Sequence, residues 1–342
     1  MNVPALANVL GTRCRTLPLV ILYVTEGCNL HCVTCSYRKP LAGEMSLADI
    51  VQLGGALKRF GLRHIVFSGG EPLLRRDFPE ICRVFSELGV KQSMLTNGVL
   101  LAKRMPEVGQ YLDEIIVSID GPTAEIHDPI RGTSFGQIIR GIRKAQEQTR
   151  RITLSVRTVI QKANFRTLAA MVRLAEALQV DHISFLAADI LSDSFGRQRP
   201  GKASDEEHIL LSGSEVEELR QLIGRMARDF SEEFNRGFIM EAPEKLLRVA
   251  QYYEALLAHA PFPTAPCNAP MVSAVITSTG DLKPCFFLPA FANVREGDIG
   301  ALMDCQQSRE VRGDVRAQVL HRCKTCVCRL HVNPAAALLN RF

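Results

Sequence analysis

Residues 19–35, LVILYVTEGCNLHCVTC, decide the fold, because an apolar run of strand length ends in a loop with three cysteines. The run LVILYVT (19–25) is apolar at nearly every position, as expected of a parallel strand covered on both faces. In parallel α/β folds, functional residues are concentrated on the loops that follow the strands. These residues therefore predict a buried strand followed by a functional loop.

Runs of the same kind recur along the chain and alternate with helical patterns. The further predicted strands are residues 64–70, 91–97, 114–120, 152–160 and 181–187. The predicted helices between them are residues 46–60, 77–88, 99–110, 135–148 and 165–178. Six strand–helix units predict an α/β fold with a partial (β/α)6 TIM barrel rather than a complete eight-unit barrel.

The pattern changes after the sixth strand. We predict an N-terminal extension (1–18), the partial barrel (19–200), a helical continuation and linker (201–260), and a small cysteine-rich β-hairpin and helix domain (261–342). Ser214 and Glu217 have capping-box spacing at the start of a helical pattern. PFPTAP (261–266) is the clearest linker, and MVSAVITSTGDLKPCFFL (271–288) predicts a hairpin around Thr-Gly-Asp.

Composition narrows the class of protein. The 342 residues are 46% hydrophobic and 23% charged, which excludes a disordered chain, and the net charge of +5 gives no reason to expect nucleic acid. No apolar run reaches about 18 residues and no secretory signal is present, so we expect a cytoplasmic protein with no membrane contact. In that reducing compartment, 11 clustered cysteines favour metal binding over disulfides.

The first cysteine group is Cys28, Cys32 and Cys35. Three thiolates on one short loop suit three irons of a cubane cluster and leave the fourth iron open for a reacting ligand. The alternatives are three structural thiols, or zinc with a fourth ligand such as His31.

The second group lies beyond the linker. Its members are Cys267, Cys285, Cys323, Cys326 and Cys328. Four thiolates saturate either an iron–sulfur cluster or a tetrahedral zinc, and ligand count does not choose between them. Cys14, Cys82 and Cys305 are isolated, and we expect them to be small buried residues.

Two motifs carry a resemblance to a known family. Cys-x3-Cys-x2-Cys after the first strand and Gly69-Gly70-Glu71-Pro72 after the second resemble the radical S-adenosylmethionine (SAM) superfamily. The cysteines beyond residue 266 resemble the twitch domain, a shortened relative of SPASM. This resemblance implies SAM, a SAM-binding 4Fe–4S cluster on Cys28, Cys32 and Cys35, and an auxiliary 4Fe–4S cluster. The implied auxiliary ligands are Cys267, Cys285, Cys323 and Cys326, with Cys328 either a spare thiol or a replacement for Cys326.

The resemblance also implies cofactor-binding residues. These are Tyr37, Gly69, Gly70, Glu71, Asn97, Ser118, Asp120, Arg131 and Arg157. The two glycines and Glu71 are expected along the methionine part of SAM, and either Arg131 or Arg157 opposite its carboxylate. Thr34 stands where the family usually has an aromatic residue that stacks on adenine, so we consider Tyr37 as its replacement.

The implied activity is reductive cleavage of SAM and abstraction of hydrogen from a small polar substrate such as a sugar, aminocyclitol or nucleotide sugar, in a dehydrogenation or decarboxylation. A flavodoxin or ferredoxin is the implied electron donor. The barrel begins near residue 20, which we interpret as leaving no room for a leader-peptide-binding domain. Loop 188–207 is expected to contact substrate, and the candidate bases are His127, Arg197 and Arg199. The alternatives are modification of a ribosomally made peptide, and a non-catalytic iron–sulfur or zinc module.

Overall fold

A computed structural model of the chain describes residues 3–11, 13–132, 134–148, 152–197, 207–264 and 266–338. Its strands are β1 (Leu19–Thr25), β2 (His64–Gly69), β3 (Lys91–Thr96), β4 (Glu114–Ser118), β5 (Thr153–Ile160), β6 (His182–Ala187), β7 (Ser273–Ile276), β8 (Asp281–Lys283) and β9 (Ala292–Asn293). They form one sheet in the order β6-β5-β4-β3-β2-β1-β7-β8-β9. Strands β1 to β6 are parallel to their neighbours, which confirms the predicted α/β partial barrel.

Helices follow the strands as predicted. They are α1 (Val3–Leu10), α2 (Leu47–Arg59), α3 (Phe78–Glu87), α4 (Leu101–Val108), α5 (Ala124–Arg131), α6 (Phe135–Gln146), α7 (Leu168–Ala177), α8 (Gly213–Asp229), α9 (Ser231–Asn235), α10 (Pro243–Leu256), α11 (Ala269–Val272), α12 (Ile299–Met303), α13 (Gln306–Ala317), α14 (His321–Lys324) and α15 (Pro334–Leu338). In the described part of the chain, no helix is long and apolar enough to cross a bilayer.

Strand β1 is buried on both faces, as its continuous apolar sequence requires. Val20, Leu22 and Val24 pack into the main core that the helices cover. Ile21 and Tyr23 point the other way, into a smaller cluster that contains Tyr37 and Val275. Alternate side chains of a strand leave opposite faces, so β1 joins the outer core to the inner side of the sheet.

The cysteine-rich C-terminal region continues the barrel sheet. Strand β7 runs parallel to β1, with Leu19 opposite Ser273, and β8 and β9 extend the sheet as an antiparallel hairpin. The N-terminal helix α1 packs against α11 and α15. Buried Asn8 ties this region together by donating to the carbonyl oxygens of Thr16 (2.7 Å) and Met271 (3.0 Å).

One predicted helix start is wrong. Helix α8 is capped by Ser212, whose hydroxyl accepts from the Glu215 amide, while the Glu215 carboxylate accepts from the Ser212 amide at 2.9 Å. The sequence SGSEVEE contains two overlapping Ser-x-x-Glu frames, and we predicted the later one, Ser214 with Glu217. The chain uses the earlier frame because Ser212 adopts the extended backbone that an N-cap needs.

Candidate active site and second thiol cluster

The loop that carries Cys28, Cys32 and Cys35 is fixed by backbone hydrogen bonds to distant segments. The amide of Val33 donates to the carbonyl of Ile130 at 3.0 Å, and that of Ser36 to Phe195 at 2.8 Å. Ile130 belongs to α5, and Phe195 lies after β6. The loop is therefore held by two segments distant in the chain, and the three thiols have defined positions.

These thiols open into a cavity of about 250 Å³ at the carboxyl ends of the strands, which we call the active-site cavity. Its lining includes the predicted residues Cys28, Cys32, Cys35, Tyr37, Gly69, Gly70, Asn97, Ser118, Arg131 and Arg157. Glu71 and Asp120, also predicted, lie behind the wall. Asp189 and Phe195, from the loop 188–207 expected to contact substrate, also line it, as do Phe286 and Phe287, which sequence reasoning missed.

The glycines allow the loop after β2 to lie against the loop after β1. A Cβ at Gly70 would stand 2.1 Å from the carbonyl oxygen of Gly27, so no side chain fits there. Gly69 has φ of +107°, and a Cβ there would stand 2.3 Å from the carbonyl oxygen of Thr25. Both positions therefore need glycine. Because glycine has no side chain, the backbone itself lines the cavity beside the thiols.

Glu71 does not line the cavity, which corrects the expectation that its carboxylate accepts from the SAM ammonium. It is fully buried and accepts from the Thr96 hydroxyl (2.8 Å) and from the amides of Asn97 (2.7 Å) and Leu73 (3.1 Å). Burial raises the pKa of Glu71 to about 7, although these three hydrogen bonds favour the charged carboxylate and lower it. Its carboxylate holds the end of β3, which in turn positions Asn97.

Asn97 does reach the thiols. Its side-chain amide donates to Asn29 Oδ1 at 2.8 Å and lies 3.7 Å from Cys28 Sγ. A nitrogen donor at a cysteine sulfur favours the thiolate form and tunes a bound metal. Asn97 therefore acts on the first cysteine of the motif.

Asp120 is buried and serves Arg131 rather than the cavity. Its carboxylate accepts from Arg131 Nε at 2.6 Å and from the Val159 amide at 2.7 Å. Arg131 Nη1 lies 3.8 Å from Cys32 Sγ. Asp120 therefore anchors Arg131, which corrects the expectation that it contacts the cofactor. Arg131 in turn places its positive charge beside Cys32.

Arg157 is placed differently from Arg131. It is half-buried on β5, lines the cavity, and donates through Nε to the Ser184 hydroxyl at 3.1 Å. Among the described residues it has no carboxylate partner, whereas Arg131 has Asp120. An unpaired guanidinium is the better candidate for an incoming carboxylate.

More aromatic rings line the cavity than the sequence predicted. Tyr37 is 7% exposed and packs edge-on against Tyr23, with ring centroids 6.2 Å apart. Phe286 and Phe287 follow Cys285 directly and also reach this wall, and Phe195 packs on Phe287. The adjacency of Phe286 to a predicted ligand was the signal that could have identified it.

Neither His127 nor Arg197, the two candidate bases within the described residues, lines the cavity. His127 is fully buried; its Nδ1 accepts from the Asp120 amide at 3.2 Å and its Nε2 contacts Ser134 Oγ. Burial lowers the pKa of His127 to about 4. Arg197 is paired with Asp189 at 2.5 Å, and Arg199 lies outside the described residues. Asp189 itself lines the cavity and also accepts from Ser192.

The first thiol group fits a bound iron–sulfur cluster. Burial raises the pKa of the Cys28 thiol, and that of Cys35 to about 11, with neighbouring cysteines adding to the effect. Buried thiolates are unfavourable until a cation offsets their charge, and iron is such a cation with a preference for sulfur. The described residues contain no three His, Cys, Asp or Glu side chains that converge on one metal ion. A cubane cluster binds each thiolate through a different iron, so its ligands share no single centre.

The second thiol group is drawn from three chain segments. All five of its cysteines line one cavity of about 30 Å³: Cys267, Cys285, Cys323, Cys326 and Cys328. Burial raises the pKa of Cys285 to about 11, and the charges of Cys267 and Cys323 raise it further. Mutual repulsion of this kind is removed when a cluster binds, so this donor set also fits iron and sulfide.

Residues Cys326 to Cys328 separate the two sites. Cys328 and Val327 line the active-site cavity, and Cys328 also lines the second thiol cavity. Cys326 Sγ accepts from the Cys328 amide at 3.3 Å. Phe287 lines both cavities as well, so the partition between them consists of Cys328 and the Phe287 side chain.

Comparison with known families agrees with this geometry. Residues 22–175 match the model of the radical SAM superfamily, and residues 267–327 match SPASM, an iron–sulfur cluster-binding domain. The chain therefore contains a radical SAM domain followed by a SPASM-type domain in its C-terminal region. These two domains imply SAM, its 4Fe–4S cluster and an auxiliary iron–sulfur cluster as cofactors.

Two curated relatives come from Methanosarcina barkeri. The Fe-coproporphyrin III synthase is 35% identical over 49% of this chain, and the match spans only 43% of that protein's length. The AdoMet-dependent heme synthase is 28% identical over 81% of this chain and 79% of its own. Among solved structures, SuiB of Streptococcus suis bound to precursor peptide SuiA shares the fold, with a TM-score of 0.63 at 15% identity over 88% of this chain and 67% of SuiB.

Proposed function

We propose that the protein cleaves SAM reductively and uses the resulting radical to abstract hydrogen from a small polar substrate in the active-site cavity. One observation carries the proposal: three thiols, two glycine backbones and Arg157, which has no carboxylate partner among the described residues, line the same cavity. Cys28, Cys32 and Cys35 would hold a barrel cluster that would supply the electron for cleavage of SAM to methionine and a 5′-deoxyadenosyl radical. The second thiol group would hold an auxiliary cluster that would accept the one electron left on the substrate.

The residues of the cavity orient SAM in this proposal. The backbone at Gly69 and Gly70 receives the methionine part, and Arg157 neutralises the carboxylate. The phenyl rings of Phe195, Phe286 and Phe287 exclude water from the reacting atoms. Arg131 remains on Asp120 beside Cys32 and stabilises the thiolate.

For dehydrogenation, the substrate loses a hydrogen atom from carbon, a proton from its hydroxyl and one electron. Asp189 is the carboxylate among the described lining residues, and we assign it as the acceptor of the proton. Its ion pair with Arg197 fixes its orientation. An Asp189→Asn variant is expected to lose product formation by about a hundredfold or more.

The names of the two curated relatives refer to a coproporphyrin and to heme, which are small molecules. This supports a small-molecule substrate over a peptide. Substrates deuterated at carbon are expected to transfer deuterium into 5′-deoxyadenosine. Transfer from a peptide, with none from a panel of sugars, aminocyclitols and nucleotide sugars, would overturn the substrate class.

The activity itself is tested by anaerobic reconstitution with iron and sulfide, followed by SAM and dithionite. Wild-type protein is expected to form 5′-deoxyadenosine, and Cys28→Ala/Cys32→Ala/Cys35→Ala is expected to form none. Cys305→Ala is the matched control, because this half-buried cysteine at the start of α13 lines neither thiol cavity. Equal 5′-deoxyadenosine from the triple variant, or none from fully loaded wild-type protein, contradicts the proposal.

A further inference from the structure

Residues 191–196 follow β6 and contact segments of both thiol groups, and we call them the connecting segment. On the barrel side, the carbonyl oxygen of Phe195 accepts from the amide of Ser36 at 2.8 Å. Ser36 directly follows Cys35, and the same oxygen lies 3.6 Å from Cys35 Sγ. The connecting segment therefore touches a cysteine of the first thiol group directly.

The connecting segment also contacts the second thiol group at two points. The Ser194 hydroxyl donates to the carbonyl oxygen of Phe286 at 2.7 Å, and Phe286 directly follows one cysteine of that group. Arg322, which directly precedes another of these cysteines, donates through Nη1 to the carbonyl oxygen of Leu191. Neighbouring residues of one short segment thus join the loops that carry the two thiol groups.

The backbone of the connecting segment is held in a fixed conformation. Phe195 has φ of +60° and Gly196 has φ of +74°. A Cβ at Gly196 would stand 2.9 Å from Cδ1 of Tyr37, and Arg197 Nε donates to the Ser194 carbonyl at 3.2 Å. A residue with a side chain keeps a left-handed backbone only where its surroundings fix it. The contacts with the two thiol groups are therefore built into the fold.

These contacts form a path of covalent bonds from Cys35 to Cys285 that only two hydrogen bonds interrupt. One is at the Phe195 carbonyl and the other at the Ser194 hydroxyl. Contiguous hydrogen bonds and packed side chains carry coupling between separate sites. Electrons tunnel more readily along covalent and hydrogen bonds than across open gaps. The path is therefore suited to electron transfer between the two sites.

We propose that the connecting segment carries one electron between the two thiol sites, with Ser194 as the positioning residue that keeps the two loops joined. This inference rests on the proposed function, in which the second site would receive the electron left on the substrate. The segment would return that electron to the barrel site, which gave one electron to SAM. No bond forms or breaks in this transfer, since the second site is oxidised and the barrel site is reduced by the same electron.

The balance of one dehydrogenation follows from that return. Substrate and SAM give oxidised substrate, methionine, 5′-deoxyadenosine and one proton, and no reductant is consumed after the first electron has entered. The connecting segment would thus make the reaction independent of a continuous supply of electrons.

The test uses reconstituted holoenzyme that is reduced at both clusters with titanium(III) citrate and then freed of reductant by anaerobic gel filtration. SAM is added without substrate, so that its cleavage withdraws electrons from the barrel site. In wild type, we expect the electron paramagnetic resonance signal of the reduced auxiliary cluster to decay as a second equivalent of 5′-deoxyadenosine forms. In Ser194→Ala, we expect that signal to persist several-fold longer, while the first equivalent forms at the wild-type rate.

Two further variants separate electron transfer from a general loss of packing. Ser308→Ala removes another buried hydroxyl that donates to a carbonyl, that of Met303 at 3.0 Å, and Ser308 lines neither thiol cavity. It is expected to behave as wild type. Ser194→Thr keeps a hydroxyl and is expected to restore the decay of the auxiliary signal. Iron and sulfide analysis confirms that the proteins compared carry equal clusters.

Hydrogen exchange of the Ser36 amide supplies a measurement that needs no cluster. Before reconstitution, we expect this amide to exchange faster in Ser194→Ala than in wild type and Ser308→Ala, because Ser194 positions the Phe195 carbonyl that holds it. Unchanged exchange would overturn the positioning role of Ser194.

The inference is also overturned if the auxiliary signal decays equally fast in Ser194→Ala and wild type, or persists equally in Ser308→Ala. A signal that persists in wild type while 5′-deoxyadenosine forms has the same meaning. Absence of 5′-deoxyadenosine from every protein, wild type included, contradicts the proposed function, and the exchange of the Ser36 amide then still decides whether Ser194 joins the two loops.

Discussion

The two thiol sites of this protein differ in how the chain supplies their ligands. The barrel site takes Cys28, Cys32 and Cys35 from one loop and opens into about 250 Å³ of space. The second site collects its cysteines from three segments, and they enclose about 30 Å³. Ligands from one loop leave one side of a metal group free for another molecule, while ligands from several directions surround it. This difference supports the proposed division of labour, with the reaction at the first site and electron transfer at the second.

The largest expected effect separates the two sites by activity. Alanine at Cys28, Cys32 and Cys35 is expected to abolish SAM cleavage, at least a thousandfold, because the metal group that binds SAM is lost. Alanine at Cys267, Cys285 and Cys323 is expected to leave 5′-deoxyadenosine formation with dithionite measurable. Each variant should retain about four of about eight irons per chain. Loss of SAM cleavage in both variants would contradict the proposal that only the barrel site cleaves SAM.

The next prediction concerns the fourth ligand of the auxiliary site. Cys326→Ala is expected to lose most of the auxiliary iron, whereas Cys328→Ala retains it, because Cys326 lies inside the SPASM match of residues 267–327 and Cys328 does not. Iron and sulfide analysis with electron paramagnetic resonance of the reduced protein checks this. The reverse result assigns Cys328 as the ligand.

Glu71 tests how rigidly the barrel site is supported. Glu71→Gln replaces an acceptor oxygen with a donor that faces the amides of Leu73 and Asn97 or the Thr96 hydroxyl. The expected cost is about 2 to 3 kcal/mol of unfolding free energy, together with weaker SAM binding.

Glu241→Gln is the matched control, since Glu241 is also buried and accepts a strand amide, from Phe185. It is expected to lower stability with no change in the Kd of SAM. A loss of SAM affinity as large as that of Glu71→Gln would mean that Glu71 has no special relation to the active-site cavity.

The smallest expected effect is a pH dependence of the unfolding free energy that comes from His127 in the barrel. Burial lowers the pKa of His127 from 6.5 to about 4, so the unfolded chain binds the proton more tightly than the folded one. Stability is therefore complete above pH 6.5 and falls as the pH drops toward 4, by about 2 kcal/mol at pH 5 from this residue. Denaturant titrations at pH 7 and pH 5 measure it.

His127→Gln should reduce that difference between the two pH values by most of this amount. An identical pH dependence in wild type and variant would show that His127 is not the group responsible. The iron of the auxiliary site is expected to be equal in the two proteins, because His127 lies beneath the barrel loop on α5.

The strands could be predicted because their signal is local. The run LVILYVT coincides with β1, and residues 152–160 exceed β5 by one residue. The pairing of β7 with β1 could not be predicted, since it depends on packing between residues distant in the chain. The three cysteines could be identified from their spacing, and the glycines from the resemblance to the radical SAM superfamily. The direction of Glu71 and Asp120 was not, because a buried carboxylate turns toward whatever donors the folded backbone supplies.

The parallel pairing of β1 with β7 affects how the protein is made. During synthesis on the ribosome, one edge of β1 stays open until residues 273–276 have emerged. An uncovered strand edge is a template for association with another chain. Nascent chains stalled before that point are therefore exposed to aggregation although every strand of the barrel is already present. If iron bound before that point, it would bind the cysteine loop while β1, the strand before that loop, still lacked its β7 neighbour.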